Sequence, residues 1–270
     1  CLEALVTAPK GVYVDGTLGN GGHAAAILEQ LEEGGTLVGF DRDIDAIERV
    51  KEKRKGEKGQ RVELVHDNYA SMADQLDRLG IGKVDGLLLD LGVSSFQLDV
   101  AERGFSFQQD APMDMRMDQT QGPTAADVVN EASEQELADL IYRYGEDRAS
   151  RRIARAIVEA RARQRIETTG QLAAIVERAK GGRKGRKTHP ATQTFQALRM
   201  AVNDELAGIE RVLETMVGRM AQGGRMAVLT FHSLEDRLVK QFFNCHVPRE
   251  ESLQQGGLKR IYEEPPVKWI

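Results

Sequence analysis

Asp15-Gly-Thr-Leu-Gly-Asn-Gly-Gly-His23 follows a short apolar run, Gly11–Asp15, and opens a stretch of helical spacing over Gly22–Glu33. Within it, Gly19-Asn-Gly21-Gly-His-Ala24 satisfies the pattern G-x-G-x-x-G/A. Small residues at a strand–helix turn let the backbone approach a ligand closely and aim helix N-terminal N–H groups at its polar atoms. Gly21 is the residue through which that approach is expected, so a β-branched side chain there would occupy the path. A tight turn with no ligand would share the pattern, and the flanking sequence has to decide between the two.

Outward from this loop the chain alternates strand and helix. Short apolar runs lie at Gly11–Asp15, Thr36–Asp41, Arg61–His66 and Val84–Asp90, with helical patterns at Gly22–Glu33, Ile44–Lys55 and Tyr69–Leu79 between them. Such alternation predicts βαβ units, a parallel sheet and helices on both of its faces. A fifth strand, Arg225–Thr230, comes only after a purely helical stretch. There Ser133 and Glu136 form a capping box for Glu134–Tyr144, Asp147–Ala162 follows, and Thr169 is placed to cap Gln171–Lys180. One long helix is predicted from Ala191 to Ala221, its stripe running Phe195, Leu198, Val202, Leu206, Ile209, Leu213, Met216 and Met220. At 1.5 Å per residue it would span about 45 Å, enough to join an inserted helical domain to a sheet. The predicted organisation is therefore an α/β domain from residues 1–103 and 200–270, interrupted by an all-helical insertion at 104–199.

The polar residues gather at the strand ends. Asp15, Asp41, His66-Asp67 and Asp90 each close an apolar run, where ligands of open α/β sheets bind. Asp41 lies twenty residues beyond Gly21, where a carboxylate can accept both hydroxyls of a ribose. The residues themselves thus point to a nucleoside-containing cofactor. Asp15, four residues ahead of Gly19, argues about its charge: carboxylates suit a cationic ligand and repel a pyrophosphate. The D-x-x-x-G-x-G layout resembles motif I of class I S-adenosylmethionine-dependent methyltransferases, which favours that cofactor over NAD.

Composition bounds the remaining classes. With 270 residues, 37 Lys and Arg against 42 Asp and Glu, and a net charge of −5, the chain has no uniformly basic coat. No run approaches the roughly 20 apolar residues of a membrane span, and no signal peptide is evident. Two cysteines, Cys1 and Cys245, are too few for a disulfide framework and suit a reducing cytoplasm. No Cys/His spacing matches a metal site. The start at Cys1 reads as trimmed. Charge is nonetheless uneven: Arg143–Lys187 holds 14 Lys and Arg against five acids, a local +9 that leaves −14 for the rest. Its Gly-interrupted end, Arg178–Lys187 (RAKGGRKGRK), places Arg183, Lys184, Arg186 and Lys187 where a loop can track RNA phosphates; a merely solvated surface is the competing reading.

Seven strings then resemble one family in order along almost the whole chain: DGTLGNGGH (Asp15–His23), DGLLLDLGVSSFQLD (Asp85–Asp99), ERGFSF (Glu102–Phe107), MDMRMD (Met113–Asp118), HPATQTFQALR (His189–Arg199), NDEL (Asn203–Leu206) and FHSLEDR (Phe231–Arg237). They look like the MraW/RsmH family of bacterial 16S rRNA cytosine-N4 methyltransferases. The resemblance implies a class I, Rossmann-like methyltransferase domain with a mostly parallel sheet and a helical insertion that recognises RNA. It implies S-adenosyl-L-methionine as cofactor and N4 of a P-site cytidine in the small ribosomal subunit as target. Cofactor contacts carry over to Gly21, Gly22, His23, Asp41, Tyr69, Asp90 and Gln97, with Tyr69 standing where Phe is common. The family continues past Ile270 with an Arg-rich final strand; Leu258–Tyr262 is the candidate sixth strand here, and the missing seventh reads as truncation. Asp90 leads as the group that meets the target amine, with Asp114 and His232 as further proton acceptors, and sequence leaves the choice open. A homodimer stays open as an assembly state. An NAD-dependent oxidoreductase and a non-catalytic ribosome assembly factor are the rival functions.

Overall fold

The computed structural model describes residues 2–53, 59–183, 185, 187–246, 250–253 and 257–260. The chain divides into two compact units, Cys1–Gly92 with Leu206–Ile270, and Val93–Glu205.

The first unit begins with α1 (Leu2–Leu5), β1 (Val12–Asp15), α2 (Gly22–Gln30), β2 (Thr36–Asp41), α3 (Ile44–Lys53), β3 (Arg61–His66), α4 (Met72–Arg78) and β4 (Val84–Asp90). The second holds α5 (Ser95–Asp99), α6 (Ala125–Glu131), α7 (Glu134–Gly145), α8 (Ser150–Arg161), α9 (Thr169–Ala179) and α10 (Thr192–Asn203). After them come α11 (Glu205–Val217), β5 (Met220–Leu229), α12 (Ser233–His246), β6 (Glu250–Leu253) and β7 (Gly257–Arg260).

The α/β expectation is met: β1 to β5 form one all-parallel sheet in the order β3-β2-β1-β4-β5. Strand periodicity explains its two cores, because successive side chains point to opposite faces. Val14, Val38, Phe40, Leu87 and Leu89 turn one way and pack with Met72 and Leu76 of α4, Ile209 and Leu213 of α11 and Phe243 of α12. Tyr13, Leu37 and Leu88 turn the other way and meet Leu5, Ala24, Ile27 and Ile47. Both faces are therefore covered, and the polar strand ends are left to project at one edge of the sheet. Among the described residues no helix is long and apolar enough to cross a membrane.

In the second unit one core joins Leu137, Ile141, Ile153, Ile157, Leu172, Val176, Phe195 and Leu198 from α7, α8, α9 and α10. Several of the quoted strings are structural here. The Asn203 side chain accepts from Met117 N–H at 2.8 Å and donates to the Met115 and Arg199 carbonyls at 2.7 and 2.8 Å. Arg103 donates to the carbonyls of Arg116 and Met117 at 3.1 and 2.9 Å. MDMRMD is thus an irregular segment, with Met115 at φ 62°, held open by two buried side chains that answer its backbone groups.

Four local expectations need correction. The helix predicted over Ala191–Ala221 is two helices, broken at Asp204 in a left-handed conformation (φ 48°). The burial of Asn203 and the bidentate Arg199–Glu205 pair at 2.8 Å set the break, and neither Gly nor Pro announces it. The cap of α9 is Thr168, not Thr169: Thr168 Oγ1 accepts from Gln171 N–H while the Gln171 side chain reaches back, and Thr169 is wholly buried. The fifth strand starts at Met220, five residues before the predicted Arg225, with a register shift between Val84 and Gly86. The segment expected as a sixth strand of the sheet contributes Leu258 to β7, which pairs antiparallel with β6 in a separate two-stranded ribbon. A partner only a few residues away closes a shorter loop than the distant sheet edge does. Tyr262 lies outside the described residues.

Candidate functional site

The glycine loop is a set of backbone donors tied to carboxylates. Leaving β1, Gly16 N–H donates to the Leu88 carbonyl at 2.9 Å and Leu18 N–H to the Phe40 carbonyl at 2.9 Å, which moors the loop between β4 and β2. Gly19 N–H donates to Asp41 Oδ2 at 2.7 Å, and Asp43 N–H donates to Asp41 Oδ1 at 2.8 Å. Gly21 precedes α2 at φ 78°, a conformation that favours glycine. A Cβ at Gly21 would lie 2.7 Å from Val50 Cγ2, whereas one at Gly22 would meet nothing within 4 Å. The open side of the loop is thus at Gly22, and Gly21 supplies the turn that exposes it.

Three carboxylates surround this opening. Asp15 is fully buried at the end of β1; Oδ1 accepts from Thr17 N–H at 3.1 Å and Oδ2 has no hydrogen-bond partner among the described residues. Burial, and after it the negative charges of Asp41 and Asp90, push the Asp15 pKa up to about 7, against the hydrogen bonds of Thr17. Burial also raises the Asp41 pKa, opposed by the N–H groups of Asp43 and Gly19. Thr17 links the group, its hydroxyl accepting from Asp90 N–H at 2.6 Å. The first residue of α2 to carry a polar side chain, His23, brings Nδ1 to 3.5 Å from Asp90 Oδ2, while Asp90 Oδ1 is buried with no hydrogen-bond partner among the described residues. Two orphaned carboxylate oxygens on neighbouring strands are costly unless a donor or a cation completes them. The arrangement fits a ligand that brings a positive charge, hydroxyl donors and a face flat enough to lie on a glycine turn.

The remaining expected residues are placed as follows. Tyr69 starts a short 3-10 turn after β3, capped by Asn68, with its ring against Gly208 of α11. Asp67, by contrast, is held below the usual carboxylate range; burial works to raise it, but hydrogen bonds from Ser71, Gln75 and Asn68 prevail. Gln97 lies in the second unit, buried, in a capping box with Ser94 at the start of α5. Asp114, also in the second unit, forms a bidentate pair with Arg116 at 2.8 and 2.9 Å. Burial alone would raise its pKa, yet the Arg116 hydrogen bonds hold it low, which makes it a weak proton acceptor. His232 faces Glu235 at both ring nitrogens, Nε2 to Oε1 at 3.1 Å and Nδ1 to the Glu235 N–H at 3.4 Å, as the residue that opens α12. Of the three candidate acceptors, Asp90 is the one whose half-buried carboxylate keeps an oxygen with no hydrogen-bond partner among the described residues. In the basic stretch, Lys180 is buried against Asp147 at 2.5 Å and the Pro190 carbonyl at 3.0 Å, so it is no surface cation. Arg183 is exposed beside Glu177 at 3.6 Å, Lys187 is exposed, and Lys184 and Arg186 lie outside the described residues. Thr17 and Glu235 were not foreseen; the Asp15-Gly-Thr17 turn and the Glu three residues after His232 were the available signals.

A model of the MraW methylase family matches residues 1–263. The chain is 53% identical over 266 residues to ribosomal RNA small subunit methyltransferase H of Nitratidesulfovibrio vulgaris, covering 96% of this chain and 73% of that protein. Proteins of the same name from Geotalea uraniireducens and Neisseria meningitidis serogroup A are similar too. The first is 52% identical over 243 residues, 90% of this chain and 78% of that protein. The second is 49% identical over 272 residues, 99% of this chain and 81% of that protein.

Proposed function

The chain belongs to the MraW methylase family, and from that premise we propose that it transfers a methyl group from S-adenosylmethionine to N4 of a P-site cytidine in small-subunit 16S rRNA. The observation that carries the proposal is the pair of buried, unpartnered oxygens, Asp15 Oδ2 and Asp90 Oδ1, on adjacent strand ends beside an open glycine loop. A sulfonium nucleoside with an ammonium group answers that demand for positive charge, whereas a pyrophosphate would be repelled by it. Similarity to the small-subunit methyltransferases supports the substrate.

Each residue then has a task. Gly21 turns the chain so that Gly22 leaves room for the cofactor, and His23 opens α2 beside it. Asp15 accepts the ammonium group, and Asp41 accepts the ribose hydroxyls while bracing Gly19. Tyr69 offers a flat ring after β3 for the adenine. The bound cofactor supplies an electrophilic methyl group. Cytosine N4 is a poor nucleophile because its lone pair is delocalised into the ring, so in-line positioning provides much of the acceleration. The Asp90 carboxylate accepts a hydrogen bond from the N4 amine, stabilises the positive charge that develops there, and takes the proton that N4 sheds as the bond to the methyl group forms and the bond to sulfur breaks. His23, on Oδ2, orients the same carboxylate. The target base leaves its stack to reach this edge, and the cations of the Arg143–Lys187 stretch neutralise rRNA phosphates.

The test is transfer of labelled methyl to small subunits lacking the modification, in the cytoplasmic range of pH and salt, followed by nucleoside analysis. Label recovered as N4-methylcytidine bears the proposal out. Binding to subunits without incorporation would instead support a non-catalytic assembly factor, and label on another nucleoside would refute the N4 assignment.

A further inference from the structure

FHSLEDR is a quoted string whose aromatic residue the cofactor site does not use. Phe231 is 70% exposed, against 41%, 45% and 62% for the other large exposed hydrophobics among the described residues, Ile44, Leu98 and Tyr142. It also stands in a chosen place. Leu229 pairs in register with Asp90, and Leu91 N–H donates to the Leu229 carbonyl at 3.1 Å, so Phe231 follows two residues beyond the strand end that flanks Asp90. Gly92, at φ 95°, lies near the ring: a Cβ there would be at ordinary contact distance, 3.8 Å, from Phe231 Cδ2.

The backbone beneath the ring is anchored at some expense. Glu235 is wholly buried, accepts from Phe231 N–H at 2.9 Å and meets His232 Nε2 at 3.1 Å. That a carboxylate in the first turn of α12 fixes the backbone of a residue whose ring adds little buried area is the observation that bears on the ring's role. It makes sense as presentation of a flat apolar surface beside Asp90.

Resting on the methyltransferase reading, we propose that Phe231 is the platform on which the extruded target cytosine stacks, with the half-buried Asp90 carboxylate taking its exocyclic amine. Stacking fixes the plane of the base and the carboxylate selects an edge that bears an N–H donor; together they position N4. Phe231 is then a substrate-positioning residue, and Glu235 and His232 position Phe231.

The experiment compares wild type with Phe231→Ala, Phe231→Leu and Phe231→Trp in methyl transfer to unmodified small subunits, with S-adenosylhomocysteine affinity and thermal unfolding measured on each. The expected result is a loss of kcat/KM on the order of 10- to 100-fold for Ala, the range of base–aromatic stacking. Leu fails to restore the rate, Trp stays within about threefold of wild type, and cofactor affinity and melting temperature are unchanged. Transfer at the wild-type rate by the Ala variant, or full rescue by Leu, would overturn the stacking role. So would a matching loss of S-adenosylhomocysteine affinity, which would move Phe231 to the cofactor. An active wild type with indifferent variants defeats this inference alone; an inactive wild type defeats the functional reading beneath it.

Discussion

Asp15 is the residue whose physics is most exposed to test. Its folded pKa of about 7 stands above the ordinary aspartate value of 3.8, so the folded state holds a proton that the unfolded chain releases. The stability it contributes is full below pH 4 and is lost as pH rises through about 7, at no more than about 1.4 kcal/mol per pH unit. Asp15→Asn is expected to remove this dependence and to unfold later than wild type at pH 8, which denaturation at several pH values measures. Cofactor binding runs the other way. The ionised carboxylate is what an ammonium group needs, so S-adenosylhomocysteine affinity of wild type should climb from pH 6 to 8 and that of Asp15→Asn should not. A flat wild-type profile would take the ammonium away from Asp15. Asp41→Ala is expected to weaken S-adenosylhomocysteine binding by roughly 1.5–3 kcal/mol, because two ribose hydroxyls lose a charged acceptor. Calorimetry on the folded variant decides it, and unchanged affinity would remove Asp41 from the ribose.

At the scale of elements, the turn before α2 separates two glycines that look alike in sequence. Gly21→Val combines a positive φ with a clash of 2.7 Å on Val50, so it should destabilise the fold by about 1–3 kcal/mol and says little about ligands. Gly22→Val has open space for its side chain and is expected to fold normally while reducing S-adenosylhomocysteine affinity more than tenfold. Parallel unfolding and calorimetry on the two variants distinguish strain from blockade. The loop after α9 carries a different expectation. Changing Arg183, Lys184, Arg186 and Lys187 to Ala should weaken RNA binding and flatten its salt dependence, by roughly 0.7 in log–log slope for each lost contact with single-stranded RNA. Cofactor affinity should be untouched. Equal affinities and parallel salt lines would identify the loop as a solvated surface. Lys180 is left out of this set because Asp147, Pro190 and Gln193 already hold its ammonium group.

For the whole molecule, binding is read as stability. A ligand that binds only the folded state stabilises it by about 2.7 kcal/mol at one hundred times its Kd. S-adenosylhomocysteine should therefore raise the melting temperature and NADH should leave it unchanged; the reverse would revive the oxidoreductase. What the sequence determined by itself is the α/β unit and its polar edge. Strand–helix alternation forces a parallel sheet, and a parallel sheet must send Asp15, Asp41 and Asp90 to the same end. The strings from Asp15–His23 to Phe231–Arg237 likewise pointed to the family whose model matches residues 1–263. Periodicity was blind to the break at Asp204, because the amide of Asn203 that causes it is satisfied by Met115 and Met117, 86 or more positions away. It was equally blind to roles. Asp90, Asp114 and His232 are all proton-accepting residues on paper, and only their tertiary partners part them: Arg116 occupies Asp114, Glu235 occupies His232, and Asp90 Oδ1 has no hydrogen-bond partner among the described residues. Which glycine turns and which admits, and which aromatic is buried and which presented, were settled the same way. Local sequence dictates the backbone period, but whether a polar atom is spent or available depends on neighbours that only the folded chain assembles.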